Sequence, residues 1–329
     1  MDLEAMVSGL LAEHGTPGAA IGLLDGDEQT IVAAGSRGLD RGAVERDTIF
    51  AAASLTKPVF ALGVMALVDD GDLEMDRPLG EYLPEPYLAD DERALSITAR
   101  MVLSHTTGFP NWREGSDDRV HPPDGRLHLR WPPGTRWGYS GEGFTYLQRV
   151  VERLCGMSVG EYLTNVVLRP LGMDDSTFAW PGADEPRLAI GHDEAGVARP
   201  RFRPPAAKAA AGGLFTTAPD YLRFLDHCLV HEQRMFVPLA EIDDALAWGL
   251  GWGIELGEEA AVWQWGNDPG YKNFVIGSPA RRVGVVAFTN GDRGADVYAA
   301  AVRALLPGPH PSLETSSRPG WMRGWAAGG

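Results

Sequence analysis

Apolar residues at positions 3, 6, 10 and 11 lie on one face of a 3.6-residue period, which predicts a helix over residues 2–14. The run GAAIGLLDGDEQTIVAAGSRGLD that follows reads as two strands joined by a turn at Asp25-Gly26-Asp27. From Pro58, VFALGVMALVDDG is almost continuously apolar and stops at Gly71, the pattern of a buried helix. Residues 72–136 are rich in Pro, Gly, Asp and Arg and predict short helices between loops, whereas 143–156 and 158–168 read as longer helices. A Pro-rich passage at 199–205 leads to a further helix capped by Thr217, with Pro219 in its first turn. Residues 248–256, 261–265, 270–278 and 281–290 read as four short strands, and 295–306 as a closing helix. The tail 307–329 has no clear period and is expected to be disordered or docked.

Strands therefore gather at the two ends of the chain and helices in the middle. The simplest packing is an α+β fold with one antiparallel sheet built from both ends, flanked by helices, and a mainly helical lobe inserted between them. The expected division is a sheet lobe of residues 1–57 and 190–306, a helical lobe of 58–189, and the tail.

The chain has 329 residues, 44% apolar and 22% charged, which suits a globular protein with a sizeable core. Its net charge of −16 argues against nucleic acid or an anionic membrane as partner. No run approaches the roughly 18 apolar residues of a membrane span, and the acidic N-terminal segment lacks the basic and apolar regions of a secretory signal. With only Cys155 and Cys228 there is no disulfide framework. Together these features predict a cytoplasmic location.

One usage is unusual. Of 29 basic residues only Lys57, Lys208 and Lys272 are lysine, and Lys57 follows Ser54 by three positions in FAAASLTKPVF. On a helix that spacing puts both side chains on one face. A serine in a first turn has backbone N–H groups and the positive end of the helix dipole beside it. A lysine can accept the serine proton only when neutral, which burial promotes. Arginine cannot serve, because it does not deprotonate. Composition alone gives some Ser-x-x-Lys with a chance of roughly one in eight, so the pair by itself is a weak signal.

Further segments accompany it in order. MVLSHTTGFP (101–110), PPGTRWGYSGEGFTYL (132–147), LRPLGMDDSTF (168–178), AAAGGLFTTAPDYLRFL, WGLGWGI and WQWGNDPGYKNFV, with the Ser-x-x-Lys stretch, resemble the motifs of the serine β-lactamase and penicillin-binding-protein superfamily, in its class C-like branch of esterases, D-aminopeptidases and acyltransferases. The resemblance runs over roughly residues 5–305. It implies a β-lactamase-like fold with Ser54 as the acylated nucleophile, Lys57 as its base or proton relay, and Tyr139 passing a proton between Ser54 and the leaving group. The backbone N–H groups of Ser54 and Asn267 would form the oxyanion hole. Gly141, Gln264, Trp265 and Gly266 would border the substrate. The third motif aligns in two registers. One puts Gln264 at the position of the family's cation and keeps Gly266 where the strand must approach closely; a shift by one puts Trp265 there.

Two departures bear on the substrate. Gly141 replaces the asparagine that in this family meets the acyl amide, and Gln264 replaces the cation that meets a carboxylate. The acylating groups are kept while carboxylate recognition is lost, so the expected substrate is an ester or small amide with no carboxylate at that position, and not an efficiently cleaved β-lactam. Water as acceptor makes the protein a hydrolase. A small amine or alcohol would make it an acyltransferase, transesterase or amide synthase of a biosynthetic pathway. A non-catalytic binding protein on this fold is the reading outside enzymology. No cofactor or metal is implied.

Other signals are weaker. Trp112, Trp131, Trp137, Trp252, Trp263 and Trp265 fall in segments expected to border the cleft. Each one alone is better explained by packing, but together they favour an apolar or aromatic acyl group. His227 and His231 are four apart on a helix, yet read as a solvated face. His105 belongs to a structural turn. Lys208 and Lys272 are surface residues by default, although either stands close enough in sequence to the motifs to replace the lost cation.

Overall fold

The computed structural model describes residues 2–38, 40–84, 91–112, 127–182, 185–199, 206 and 209–315. Lys208 and residues 316–329 of the tail lie outside these. The first helix, α1 (Leu3–His14), starts where the Asp2 carboxylate accepts the N–H groups of Glu4 and Ala5, and ends at Gly15, whose φ of 64° closes the cap. The hairpin of β1 (Gly18–Asp25) and β2 (Glu28–Gly35) follows, turning at Gly26. Next come the two-residue β3 (Phe50–Ala51), α2 (Thr56–Asp69), α3 (Leu79–Tyr82), α4 (Ala99–Leu103), α5 (Gly141–Cys155) and α6 (Val159–Leu163), the last continuing as a π-helical turn over Thr164–Leu168. The chain then forms α7 (Ala209–Gly212), β4 (Phe215–Thr216), α8 (Ala218–His231), β5 (Ala240–Asp243), β6 (Leu246–Trp248), β7 (Gly253–Glu255), β8 (Ala261–Asp268), β9 (Tyr271–Ser278), β10 (Val283–Thr289) and α9 (Gly294–Leu305).

The main sheet is antiparallel and has the order β2-β1-β10-β9-β8-β7-β6-β5, so the first hairpin pairs with the last strand, Ala19 opposite Thr289. Both ends of the chain thus build one sheet, as the strand positions predict. Both of its faces are covered. Ile21, Phe274, Ile276, Val285 and Ala287 pack with Val7 and Leu11 of α1 and Val297 and Tyr298 of α9. The alternate residues Ala20, Leu24, Val275, Val286 and Phe288 face Leu222 and Leu225 of α8 and the larger core around α2. Burial of both faces explains why these strands are apolar throughout instead of alternating.

The strand expected over 248–256 is two strands. Gly249 donates to Trp252 O at 2.8 Å, and Gly251 has φ of 81°, so the chain reverses between β6 and β7. The edge strand β5 is an addition to the sequence reading. Its residues alternate between half-buried and exposed and carry little apolar signal. After α9, residues 311–315 dock on the sheet, with Ser312 N–H donating to the buried Glu255 at 3.0 Å. Among the described residues no helix is long and apolar enough to cross a membrane.

Candidate active site

Ser54 sits in a 3-10 turn, Ala53–Leu55, that runs directly into α2. The turn is held in an uncommon shape. Ala53 has φ of 51°, a left-handed conformation costly for a residue with a Cβ. Four contacts fix it from distant parts of the chain. Ala52 N–H donates to Leu214 O at 2.9 Å. Thr56 Oγ1 donates to Ala53 O at 2.6 Å while accepting Leu214 N–H at 3.1 Å. Tyr221 OH donates to Leu55 O at 2.6 Å, and Asn273 Nδ2 to Ala51 O at 2.9 Å. The nucleophile is therefore fixed by α8 and β9 as well as by its own helix.

Lys57 follows in the first turn of α2, 1% exposed. Its Nζ lies 3.0 Å from Ser54 Oγ and donates to Ala211 O at 2.7 Å. The rings of Tyr139 and Phe144 stand 4.9 and 5.5 Å from it. Loss of solvent outweighs these contacts and the attraction of Asp268, so the ammonium is brought from its ordinary 10.5 down to about 7. At neutral pH a large fraction of Lys57 is the free amine, able to take a proton.

Tyr139 is buried beside them, with Lys57 Nζ 4.9 Å from the centre of its ring. Burial drives its pKa far up, so it stays a phenol and a proton donor. His105 holds this tyrosine from both sides. The His105 carbonyl accepts Gly138 N–H at 2.6 Å, its Nδ1 accepts Ser140 N–H at 3.0 Å, and its ring packs 4.2 Å from the phenol ring. Burial, followed by the nearby Lys57 charge, pushes its imidazole well below the usual range, which keeps Nδ1 an acceptor. His105 is a positioning residue. The sequence placed it in a turn near the site but gave no sign of this clamp, which runs through backbone groups.

The third motif lies on β8. Gln264 is fully buried, and its Nε2 donates to Ser54 O at 3.0 Å and to Tyr139 OH at 3.1 Å. Gln264 is thus the residue of this strand that meets the catalytic groups, while Trp265 packs against the Tyr139 ring at 4.8 Å with the two planes tilted by 35°. At Gly266 an added Cβ would stand 2.4 Å from Ala52 O. Only glycine lets β8 run this close to the nucleophile turn, and Asn267 follows it on the strand, exposed.

Gly141 opens α5, two residues after Tyr139. Its N–H is held by Asn111, Oδ1 at 3.0 Å and O at 3.1 Å. A Cβ at 141 would fall 2.4–2.7 Å from three carbons of the six-membered ring of Trp112. An indole therefore occupies the space that a side chain at 141 would need.

The tryptophan group expected along the cleft is largely core. Trp248, Trp263 and Trp265 form a run of ring contacts at 5.3–5.9 Å that continues to Trp137, and Trp252 stacks on Phe224 at 6.0 Å. Period-two alternation along β8 turns Trp263 and Trp265 into that core and Gln264 and Gly266 towards the serine. Lys272 is tied to Asp292 at 2.7 Å and to Asp268 O at 3.0 Å, so it does not replace the missing cation. His227 and His231 have ring centroids 5.0 Å apart, and no group of three or more His, Cys, Asp or Glu among the described residues could hold a metal.

Comparison with known proteins agrees with this geometry. Residues 3–307 match the family described as Beta-lactamase. The chain is 32% identical to Esterase EstB of Burkholderia gladioli over 72% of this chain and 69% of that one. It is 29% identical to Penicillin-binding protein 4 of Amycolatopsis lactamdurans, over 90% and 87% respectively. Its fold matches the crystal structure of D-alanine carboxypeptidase AmpC from Burkholderia cenocepacia with a TM-score of 0.80, at 20% identity, over 93% of this chain and 98% of that one. A buried lysine against a serine in a strained turn, a phenol held by both neighbours, and a match from Leu3 to Pro307 lead to one assignment: the chain belongs to the Beta-lactamase family and is a serine hydrolase of that fold.

Proposed function

We propose that the protein cleaves esters or small amides through an acyl-Ser54 intermediate and releases the acyl group to water. The observation that carries this is the buried Lys57 amine 3.0 Å from Ser54 Oγ, with a pKa near 7. The neutral amine takes the Ser54 proton while Oγ attacks the carbonyl carbon. The electron pair moves to the carbonyl oxygen, facing the N–H groups of Ser54 and Asn267. Collapse expels the leaving oxygen or nitrogen, which takes its proton from Tyr139. Lys57 returns the proton it holds to Tyr139, and the enzyme is left acylated. Water then repeats the sequence with Ser54 Oγ as the leaving group.

Three features support a substrate without a carboxylate at the third motif. Gln264 brings no charge, Lys272 is engaged by Asp292, and Trp112 covers Gly141 where an amide-binding side chain would stand. An apolar acyl group against the indole fits this best. The curated relatives with esterase names are in keeping with that reading. β-Lactams are expected to be turned over weakly. The reaction is assigned to the cytoplasm, in keeping with the unpaired Cys155 and Cys228.

The test is mass spectrometry after a fluorophosphonate or an acid-quenched p-nitrophenyl ester. The adduct is expected on Ser54 and absent from Ser54→Ala. No adduct with any activated acyl donor would leave a non-catalytic binding protein. Adding small amines or alcohols separates the two acceptors, because a faster reaction with a new acylated product would identify an acyltransferase or amide synthase.

A further inference from the structure

In the reading above, Asn267 supplies one of the two N–H groups of the oxyanion hole, and it stands near the end of a hairpin. β7 pairs with β8 over Ala261–Trp263, and β8 runs on beside β9 as far as Asp268, opposite Tyr271. Asn267 is thus set on one side by Gly266, which is packed on Ala52 O, and on the other by the hairpin tip. The tip is Pro269-Gly270. Proline fixes φ near about −65°, and Gly270 has φ of 83°, the combination of a type II turn. Two-residue hairpins favour the mirror-image turns, because type II twists against the strands. This tip therefore depends on support from outside the hairpin.

That support is Asp292, in the loop between β10 and α9. Its Oδ1 accepts Gly270 N–H at 2.7 Å and Lys272 Nζ at 2.7 Å. Its Oδ2 accepts Arg199 Nε at 3.0 Å and also Arg199 Nη2. Lys272 Nζ donates in addition to Asp268 O at 3.0 Å, the carbonyl of the residue that follows Asn267. One carboxylate thus grips the tip at Gly270 and, through Lys272, the end of β8. Asp292 is itself anchored, because its N–H donates to His192 O at 3.0 Å. The backbone at Gly191 closes the other side of the tip: a Cβ on Gly270 would stand 2.7 Å from Gly191 Cα. Burial alone would raise the Asp292 pKa, but the bonds from Lys272, Gly270 and Arg199 hold it below its ordinary value, so the grip is ionic at neutral pH.

We propose that Asp292 is a positioning residue for the oxyanion hole: through Gly270 and Lys272 it fixes the end of β8, and with it the direction of the Asn267 N–H. This rests on the acyl-serine reading above. It gives Lys272 and Arg199 a use inside the protein in place of substrate recognition.

The test is Asp292→Asn. Asparagine keeps the shape but offers one acceptor oxygen, and its NH₂ would face donors. The value of kcat/KM is measured for p-nitrophenyl butyrate and for its thionoester, in which sulfur replaces the carbonyl oxygen. Sulfur accepts hydrogen bonds weakly and sits farther from carbon, so the thionoester gains little from the hole. Rates are expressed per active site, counted with a fluorophosphonate. Asp292→Asn is expected to slow the oxygen ester by about thirtyfold, short of the loss of a whole donor, and the thionoester by no more than about threefold. Lys272→Met is expected to cost the oxygen ester about tenfold and to add little in the Asp292→Asn background, because both act through one hairpin tip. Should Asp292→Asn fail to fold, Lys272→Met decides by the same ratio. Unchanged rates, or equal losses per active site on the two esters, would overturn the proposal. Failure of the acyl-serine reading looks different: the unsubstituted protein would then form no adduct on Ser54 and cleave neither ester.

Discussion

Replacing Lys57 by methionine keeps most of the side-chain volume and removes the amine. The structure specifies how this changes stability with pH. Lys57 is brought from 10.5 in its ordinary setting to about 7 by burial, which corresponds to about 5 kcal/mol at about 1.4 kcal/mol per decade of proton affinity. The sign follows from where the protons are. Between about pH 7 and 10.5 the unfolded chain holds this proton and the folded chain does not, so stability rises with pH across the window and is lost progressively as pH falls from about 10.5 to about 7. Below that, the folded protein carries a buried ammonium at nearly the full cost. Methionine has no such term. It also leaves Ser54 Oγ and Ala211 O without their partner, a loss of about 1–3 kcal/mol each that does not vary with pH. The quantity to measure is therefore the change in the stability difference between the two proteins. Urea unfolding followed by tryptophan fluorescence at pH 6 and pH 9 is expected to favour Lys57→Met by about 3 kcal/mol more at pH 6 than at pH 9. A difference that stays the same at both pH values would show that Lys57 is charged throughout, and would remove the basis for its role as base.

Three further outcomes follow from the same geometry. The rate of Ser54 acylation is expected to rise with pH through about 7, because only the neutral Lys57 accepts a proton; a pH–rate profile flat from pH 5 to 9 would contradict this. Gly266→Ala should lower activity by about a hundredfold or more, since its Cβ would press on Ala52 O and displace the nucleophile turn. Near-normal kcat on a p-nitrophenyl ester would refute that contact. Trp112→Ala should weaken selection for longer acyl chains, reducing kcat/KM for a hexanoyl ester about tenfold more than for an acetyl ester. An equal effect on both would remove Trp112 from the acyl pocket.

The residues that were legible in the sequence are those whose chemistry allows few substitutes. Ser54 and Lys57 stand out because a base must lose a proton, and the structure places them 3.0 Å apart. The helices and the outer hairpin follow from period and turn residues. β5 was missed because an exposed edge strand carries little apolar signal, and the β6–β7 reversal because WGLGWGI reads as one continuous apolar run. His105, Ala211, Asn273 and Tyr221 were silent as site residues. They act on backbone groups, or through their own, from 35 to 222 residues away in the chain, and nothing local marks such a contact. The tryptophans were legible as aromatic mass but not as to place, because one residue along a strand decides between core and cleft. Gln264 was legible as a position, whereas its two bonds needed the fold.

The account turns on Ser54 becoming acylated with Lys57 as its base. The most direct measurement is peptide mapping of the covalent adduct after a fluorophosphonate, run on the unsubstituted protein and on Lys57→Met at pH 8. The account requires a single adduct on the peptide containing Ser54, formed at least about a hundredfold more slowly in Lys57→Met. An adduct on another residue, or equal rates in the two proteins, would contradict it.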